Sequence, residues 1–171
     1  LAEVEDNRLQ YIGLLQEVGY IEGDYKISSS VNQNADDFRV VKGAIVAGLY
    51  PNIAKIKSPP QKYVKTANGA LAVDADPSEL KFFDFVERVF LHPASFNFEC
   101  GKFSDSFLAY FLKIQTGKVY LRDSTCISAW PIVLFGGNLK LDHNHNIITL
   151  DDSIKIEAFP RISGIFVLHN F

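Results

Sequence analysis

The stretch 107-FLAYFLKIQTGKVYLRD-123 decides how the rest of the chain is read. It alternates as two β-strands joined at Thr116-Gly117. Leu108, Tyr110, Leu112 and Ile114 fall at even positions and are expected to face an interior, which leaves Lys113 and Gln115 on the outer side. After the turn, Val119 and Leu121 alternate with Lys118, Tyr120 and Arg122, so the second strand presents Lys-Tyr-Arg on one face. Cations neutralise phosphates, and an aromatic ring stacks a base or packs on an arginine. Thr116 and the N–H of Gly117, at the turn, are natural phosphate or ribose partners. An outer strand face of ordinary composition holds the same residue types. The residues alone therefore leave nucleic-acid contact and a plain solvated face both open.

Working outward, short strands surround this hairpin. The chain alternates with period two over 52–57, 62–66, 70–73, 81–83 and 87–92, with breaks at Ser58-Pro59-Pro60, Asn68-Gly69, 74–79 and Pro93. Trp130–Phe135 is a compact apolar block that fits a short helix or a strand. Further strands are expected at 139–141, 147–150 and 154–159, and Pro160 opens a short C-terminal helix. Two helices come first. Residues 2–19 carry Val4, Leu9, Ile12 and Leu15 near one stripe, with acidic residues in the first turn and Gly19 at the end. Residues 36–48 follow, capped by Asn34 or Asp36, with Phe38, Val41, Ile45 and Leu49 as the stripe. Gly43, Ala44, Ala47 and Gly48 give this second helix a thin side suited to close packing. The reading is mainly β with flanking α, a small β-barrel preceded by two helices.

Charge is sorted along the chain. The net charge is −3, which argues against a generic nucleic-acid binder. Yet Phe38–Val73 holds Arg39, Lys42, Lys55, Lys57, Lys62 and Lys65 with no acid, and Ser106–Arg122 holds Lys113, Lys118 and Arg122 with none. Nine of the 17 basic residues and none of the 20 acidic ones lie in these two stretches. Such sorting builds a positive face on an acidic protein, or reflects chance on a solvated surface.

Several chemistries are excluded. There is no GxxxxGK[ST] phosphate loop, no GxGxxG and no GxSxG elbow. No apolar run approaches the roughly 18 residues of a membrane-spanning helix. Cys100 and Cys126 read as two small thiols in a reducing compartment. Asp142-His143-Asn144-His145 offers two imidazoles but reads as a solvated turn. Asp151-Asp152 point to opposite faces of a strand and read as turn and solubility residues; His92 reads as a strand-end histidine with a backbone partner. The chain starts at Leu1 and contains no Met, as expected of a piece of something longer.

Four stretches together resemble the C-terminal region of DEAH-box and RNA-helicase-A-like helicases. They are FRVVKGAIVAGLYPNIAKI (38–56), RVFLHPASFNF (88–98), FLAYFLKIQTGKVYLRDSTCISAWPIVLFGG (107–137) and LDDSIKIEAF (150–159), in that family's order. The resemblance implies an oligonucleotide/oligosaccharide-binding (OB) barrel at 35–171, with residues 1–34 as the end of a helical, ratchet-like domain plus a linker. It implies RNA as partner, motor and ratchet domains elsewhere in a longer ATP-dependent RNA helicase, and a cytoplasmic or nuclear setting. ATP and Mg would belong to that parent protein, with none held by this chain. Carried onto this sequence, the expected contacts are Lys113, Thr116, Gly117, Lys118, Tyr120 and Arg122, with Lys62 and Lys65 from an earlier hairpin lining the same groove. Gly117 departs from the Ser common in the family. A regulatory module that docks on the motor domains or on a protein cofactor, without touching RNA, is the alternative.

Overall fold

The computed structural model describes residues 2–23, 32–67, 69–142, 144 and 146–157. The chain divides into two compact units, Leu1–Val41 and Lys42–Phe171. The boundary between these units falls inside the second helix. The expected C-terminal helix after Pro160 lies outside the described residues, as does most of the polar stretch 26–35.

In the first unit, α1 spans Ala2–Glu17. Gly19 closes it with φ 79°. The N–H of Tyr20 donates to the carbonyl of Leu15 at 2.9 Å and that of Gly19 to Gln16 at 3.0 Å, the paired bonds of a Schellman close. None of the α1 side chains is buried. Of its expected stripe Val4, Leu9 and Leu15 are exposed and Ile12 is half-buried.

The second helix, α2, spans Phe38–Leu49. Its cap is Asp37, whose Oδ1 accepts from the N–H of Arg39 at 2.9 Å, one residue beyond the expected Asp36. Phe38 and Val41 are exposed, and the buried residues are Gly43 and Val46, with Ile45 and Leu49 partly buried. Of the expected thin side only Gly43 is buried, and Ala44, Ala47 and Gly48 are exposed. A Cβ at Gly43 would sit 3.5 Å from the Phe135 ring, an ordinary van der Waals contact.

The second unit is organised by a closed barrel of β1 (Ile53–Lys57), β4 (Lys81–Phe83), β5 (Arg88–Leu91), β7 (Val119–Ile127) and β6 (Phe107–Gln115), in that order around the barrel. All neighbours are antiparallel except β5 and β7, which run parallel. Alternation fills the interior with Ala54, Ile56, Phe82, Val89, Leu91, Leu108, Tyr110, Val119 and Leu121. The opposite parity of the first half of β6 and of β1 is buried too. Ile53, Phe107, Ala109 and Ile127 pack in a second core with Val46, Ile132, Leu150 and Ile154. This is why 107-FLAY-110 is apolar throughout rather than alternating.

The second core is completed by α3 (Ala129–Phe135) and a three-stranded sheet of β8 (Leu139–Asp142), β9 (Ile147–Leu150) and β10 (Ile154–Glu157). The apolar block is thus a helix; Pro131, Ile132 and Val133 face in, while Trp130, Leu134 and Phe135 stay exposed. Asp151 does more than terminate a strand. Its carboxylate accepts from the N–H of Asn138 at 2.7 Å and from the hydroxyl of Tyr50. Burial, followed by that bond, pushes the Tyr50 phenol up to about 12. Asp152 pairs with Lys140 at 2.5 Å. A two-stranded ribbon, β2 (Lys62–Thr66) and β3 (Gly69–Val73), is exposed along its whole length. No helix among the described residues is long and apolar enough to cross a membrane.

Candidate nucleic-acid interface

The β6–β7 hairpin does not keep one face from end to end. Directly opposed residues share a face of an antiparallel pair. Near the barrel's covered flank, Leu108 opposes Cys126, and both pack on the interior core. Toward the tip, Lys113 opposes Leu121 and Gln115 opposes Val119, so the odd positions of β6 share a face with the two interior residues of β7. The swap occurs at the Phe111–Asp123 position, where the ladder is interrupted and Asp123 takes a left-handed φ of 53°. Leu112 and Ile114 therefore share a face with Arg122 and Tyr120 on the outside, with Leu112 41% exposed. The expectation that both point inward is corrected here.

The swap decides the position of Lys113. Its ammonium lies 2.5 Å from Asp84 and 3.1 Å from Glu87, in the turn between β4 and β5. The Asp84 side chain is 4% exposed and also accepts the N–H groups of Val86 and Glu87. Burial pushes the Asp84 carboxyl up, but the bonds from Lys113 and from those N–H groups outweigh it and hold the group below its usual range. The bond to Asp84 in turn holds the Lys113 ammonium above the usual lysine range, against burial and with help from Glu87. Lys113 thus ties the hairpin to the neighbouring turn.

The second strand presents the expected face. Val119 and Leu121 are buried, and Lys118, Tyr120 and Arg122 stand on the other side. What the sequence reading left out is the strand beside it. The parallel pairing sets Phe90 against Tyr120, with ring centroids 6.2 Å apart. The Lys118 ammonium lies 4.7 Å, and the Arg88 guanidinium 4.9 Å, from the centre of the Phe90 ring. His92 sets its ring edge-on to Tyr120 at 5.9 Å, while its Nδ1 accepts the Ala94 N–H, as expected of a strand-end histidine.

The same face continues across β4 and β1. Phe83 opposes Arg88 and Lys55, and Lys57 opposes Lys81. Two lysines set directly against each other repel. Among the described residues, Lys57, Lys81, Arg88, Lys118 and Arg122 form no ion pair, and Lys55 reaches only the carbonyl of Lys155 at 3.5 Å. Four neighbouring strands therefore share one face of unneutralised cations with aromatic rings between them.

The remaining expected residues fall elsewhere. Thr116 and Gly117 form the exposed hairpin tip, where the Thr116 N–H donates to the Lys118 carbonyl at 3.0 Å. Lys62 pairs with Glu79 at 2.6 Å, and Lys65, on the ribbon, has no ion-pair partner among the described residues. Cys100 and Cys126 are free thiols, neither fully exposed. Among the described residues no group of His, Cys, Asp and Glu is placed to hold a metal ion; His143 and His145 lie outside those residues.

Comparison with known proteins agrees with this architecture. The profile of the oligonucleotide/oligosaccharide-binding (OB)-fold family matches residues 41–139. The chain belongs to the OB-fold family carried by DEAH-box helicases. It is 37% identical over 153 residues to a protein of Mycosarcoma maydis named as a DEAH-box ATP-dependent helicase, covering 84% of this chain and 10% of that protein. It is 32% identical over 139 residues to the DExH-box ATP-dependent RNA helicase DExH1 of Arabidopsis thaliana, covering 81% and 12%. It is 30% identical over 156 residues to the ATP-dependent DNA/RNA helicase DHX36 of Rattus norvegicus, covering 90% and 14%. The OB-fold chain thus spans only a small share of the length of each relative.

Proposed function

We propose that this OB-fold chain is the RNA-binding accessory module of an ATP-dependent DEAH/RHA-type RNA helicase, lining the RNA channel and modulating the motor. ATP hydrolysis, with its Mg, belongs in this reading to motor domains outside the chain, and the setting is cytoplasmic. The observation that carries the proposal is the outer face of β1, β4, β5 and β7. Lys57 and Lys81 stand directly opposed and repel, and among the described residues Arg88, Lys118 and Arg122 likewise have no ion-pair partner, so the face attracts an anion. Phosphates supply that anion, and Phe90 and Tyr120 between the cations suit an unpaired strand. Thr116 and the Gly117 N–H at the tip add polar partners for backbone or ribose.

The test is a salt titration of single-stranded RNA binding with Lys118→Ala plus Arg122→Ala. Removing two phosphate contacts lowers the slope of log affinity against log salt by about 1.4. An unchanged affinity and an unchanged slope would remove the proposal.

A further inference from the structure

Residues 58-SPPQ-61 join β1 to β2, and Ser58-Pro59 is the only place in the 171-residue sequence where a serine or threonine precedes a proline. Ser58 is exposed, and the segment 58–61 belongs to no helix or strand. Pro59 favours an extended backbone at Ser58, and neither Pro59 nor Pro60 has an N–H to pair. Among the described residues Ser58 makes no hydrogen bond. By contrast, the hydroxyls of Ser78, Ser104 and Ser153 are bonded to Asp76, Asp105 and the Asp151 carbonyl. Ser58 also lines a cavity of about 180 Å³ at the foot of the ribbon, together with Gln61, Lys62, Asp74, Glu79 and Lys102.

We infer that Ser58 is a phosphorylation site for a proline-directed serine/threonine kinase, and that its phosphate releases the β2–β3 ribbon from its base. A kinase cleft takes its substrate as an extended, accessible chain, and one shaped for a ring after the serine needs no N–H there. The segment meets both demands without unfolding. The step moves the γ-phosphoryl group of ATP to the Ser58 Oγ. The Oγ–P bond forms, and the bond from that phosphorus to the oxygen it shares with the β-phosphate breaks. ADP leaves with the electron pair, and the hydroxyl proton passes to the kinase's carboxylate base. The product carries a charge of about −1.5 to −2 beside a cavity where two ion pairs hold the ribbon. Lys62, at the start of β2, meets Glu79 at 2.6 Å, and Lys102 meets Asp74, just after β3, at 3.6 Å. Both lysine side chains are more than half exposed and free to turn. A dianion attracts an ammonium about twice as strongly as one carboxylate does at the same distance. Glu79 has no second partner to fall back on, because its Oε2 is buried with no hydrogen bond among the described residues. The phosphate also repels Glu79 and Asp74 across the same cavity. Below the pairs, Gly101 lies so close to the Ala75 carbonyl that a Cβ there would collide with it. The stem beyond Asp74 therefore stays in place, and the change falls on the ribbon.

The experiment incubates three substrates with a proline-directed kinase and MgATP: the 171-residue chain, its Pro59→Ala variant and a peptide of residues 52–66. Phosphate is mapped by mass spectrometry. The folded chain is expected to be modified at Ser58 at a rate comparable to that of the peptide, and Pro59→Ala is expected to lose the modification. An unmodified peptide overturns the site, and so does an unmodified folded chain while the peptide reacts. Equal modification of Pro59→Ala overturns the proline-directed assignment. Amide hydrogen exchange over Lys62–Thr66 and Gly69–Val73 is then compared in the phosphorylated and unmodified chain. Exchange is expected to quicken by up to about fivefold, the upper end of what one exposed ion pair contributes. Lys62→Ala is expected to show the faster exchange without phosphate and no further change with it. Ribbon exchange that is unchanged or slower after phosphorylation overturns the release.

Discussion

The open face of the barrel and the β2–β3 ribbon display the same kinds of side chain with opposite backing. On β5 and β7 each outward residue alternates with a buried one, Val89, Leu91, Val119 or Leu121. On the ribbon, Tyr63 and Lys65 share a face with Ala70 and Ala72, and no residue of either strand is buried. The ribbon is held at its base, where Lys62 meets Glu79 at 2.6 Å and the Gln61 amide donates to the Val73 carbonyl at 2.8 Å. A cation on the barrel is therefore placed by the core beneath it, while a cation on the ribbon is placed only by its own hairpin. The difference teaches that a lysine's contribution to a site depends on what fixes its strand. Lys113 and Lys118 repeat the lesson within one hairpin: one is paired with Asp84, the other lies over the Phe90 ring with no carboxylate partner among the described residues.

The most severe way to break the comparison is to remove its backing. Leu121 is fully buried, and Leu121→Ala is expected to cost about 2–5 kcal/mol in a denaturant titration. The next is Asp84→Ala, which leaves the Lys113 ammonium without its nearest carboxylate. With the Lys113 side chain 33% exposed, the expected loss is about 2 kcal/mol, below that of a fully buried pair. Melting should fall while the salt slope of RNA binding in the folded protein stays unchanged.

The same pair gives stability a pH dependence with a fixed sign. The Asp84 carboxyl is held low in the fold, so its contribution is full above the unfolded value of about 3.9 and is lost as pH falls through the folded value. The Lys113 ammonium is held high, so its contribution is full below about 10.4 and is lost as pH rises through the folded value. Asp84→Asn should flatten the acid limb of a stability profile; an acid limb identical to wild type contradicts the pairing. The smallest effect belongs to the ribbon. Leu71 is 62% exposed, and Leu71→Ser should change stability by no more than about 0.5 kcal/mol. A larger loss would show that the ribbon is backed after all.

Most elements are legible in the sequence because their side chains obey simple periods. The strand ranges at 53–57, 62–66 and 81–83 and the first part of β7 up to Arg122 follow alternation, and Gly19 and Pro51 mark helix ends by backbone chemistry. The face presented by Lys118, Tyr120 and Arg122 is legible for the same reason. Three things are not. The parallel pairing of β5 with β7 joins Phe90 to Tyr120 through a closure that no local pattern encodes. The alternation 88-RVFL-91 already separates Arg88 and Phe90 from Val89 and Leu91, yet it does not say which neighbour they meet. The left-handed residue Asp123 swaps the hairpin's faces, and an aspartate in a strand gives no warning of it. Lys113 reads as a free outer cation until the β4–β5 turn brings Asp84 to it.

The central claim is that RNA lies on the outer face of β5 and β7. The most direct measurement is photo-crosslinking of single-stranded RNA to the chain, followed by mapping of the linked peptides. The account predicts crosslinks at Phe90 and Tyr120, within Arg88–Leu91 and Val119–Ile127. Crosslinks confined to the ribbon, Lys62–Thr66 and Gly69–Val73, or to α3 would contradict it.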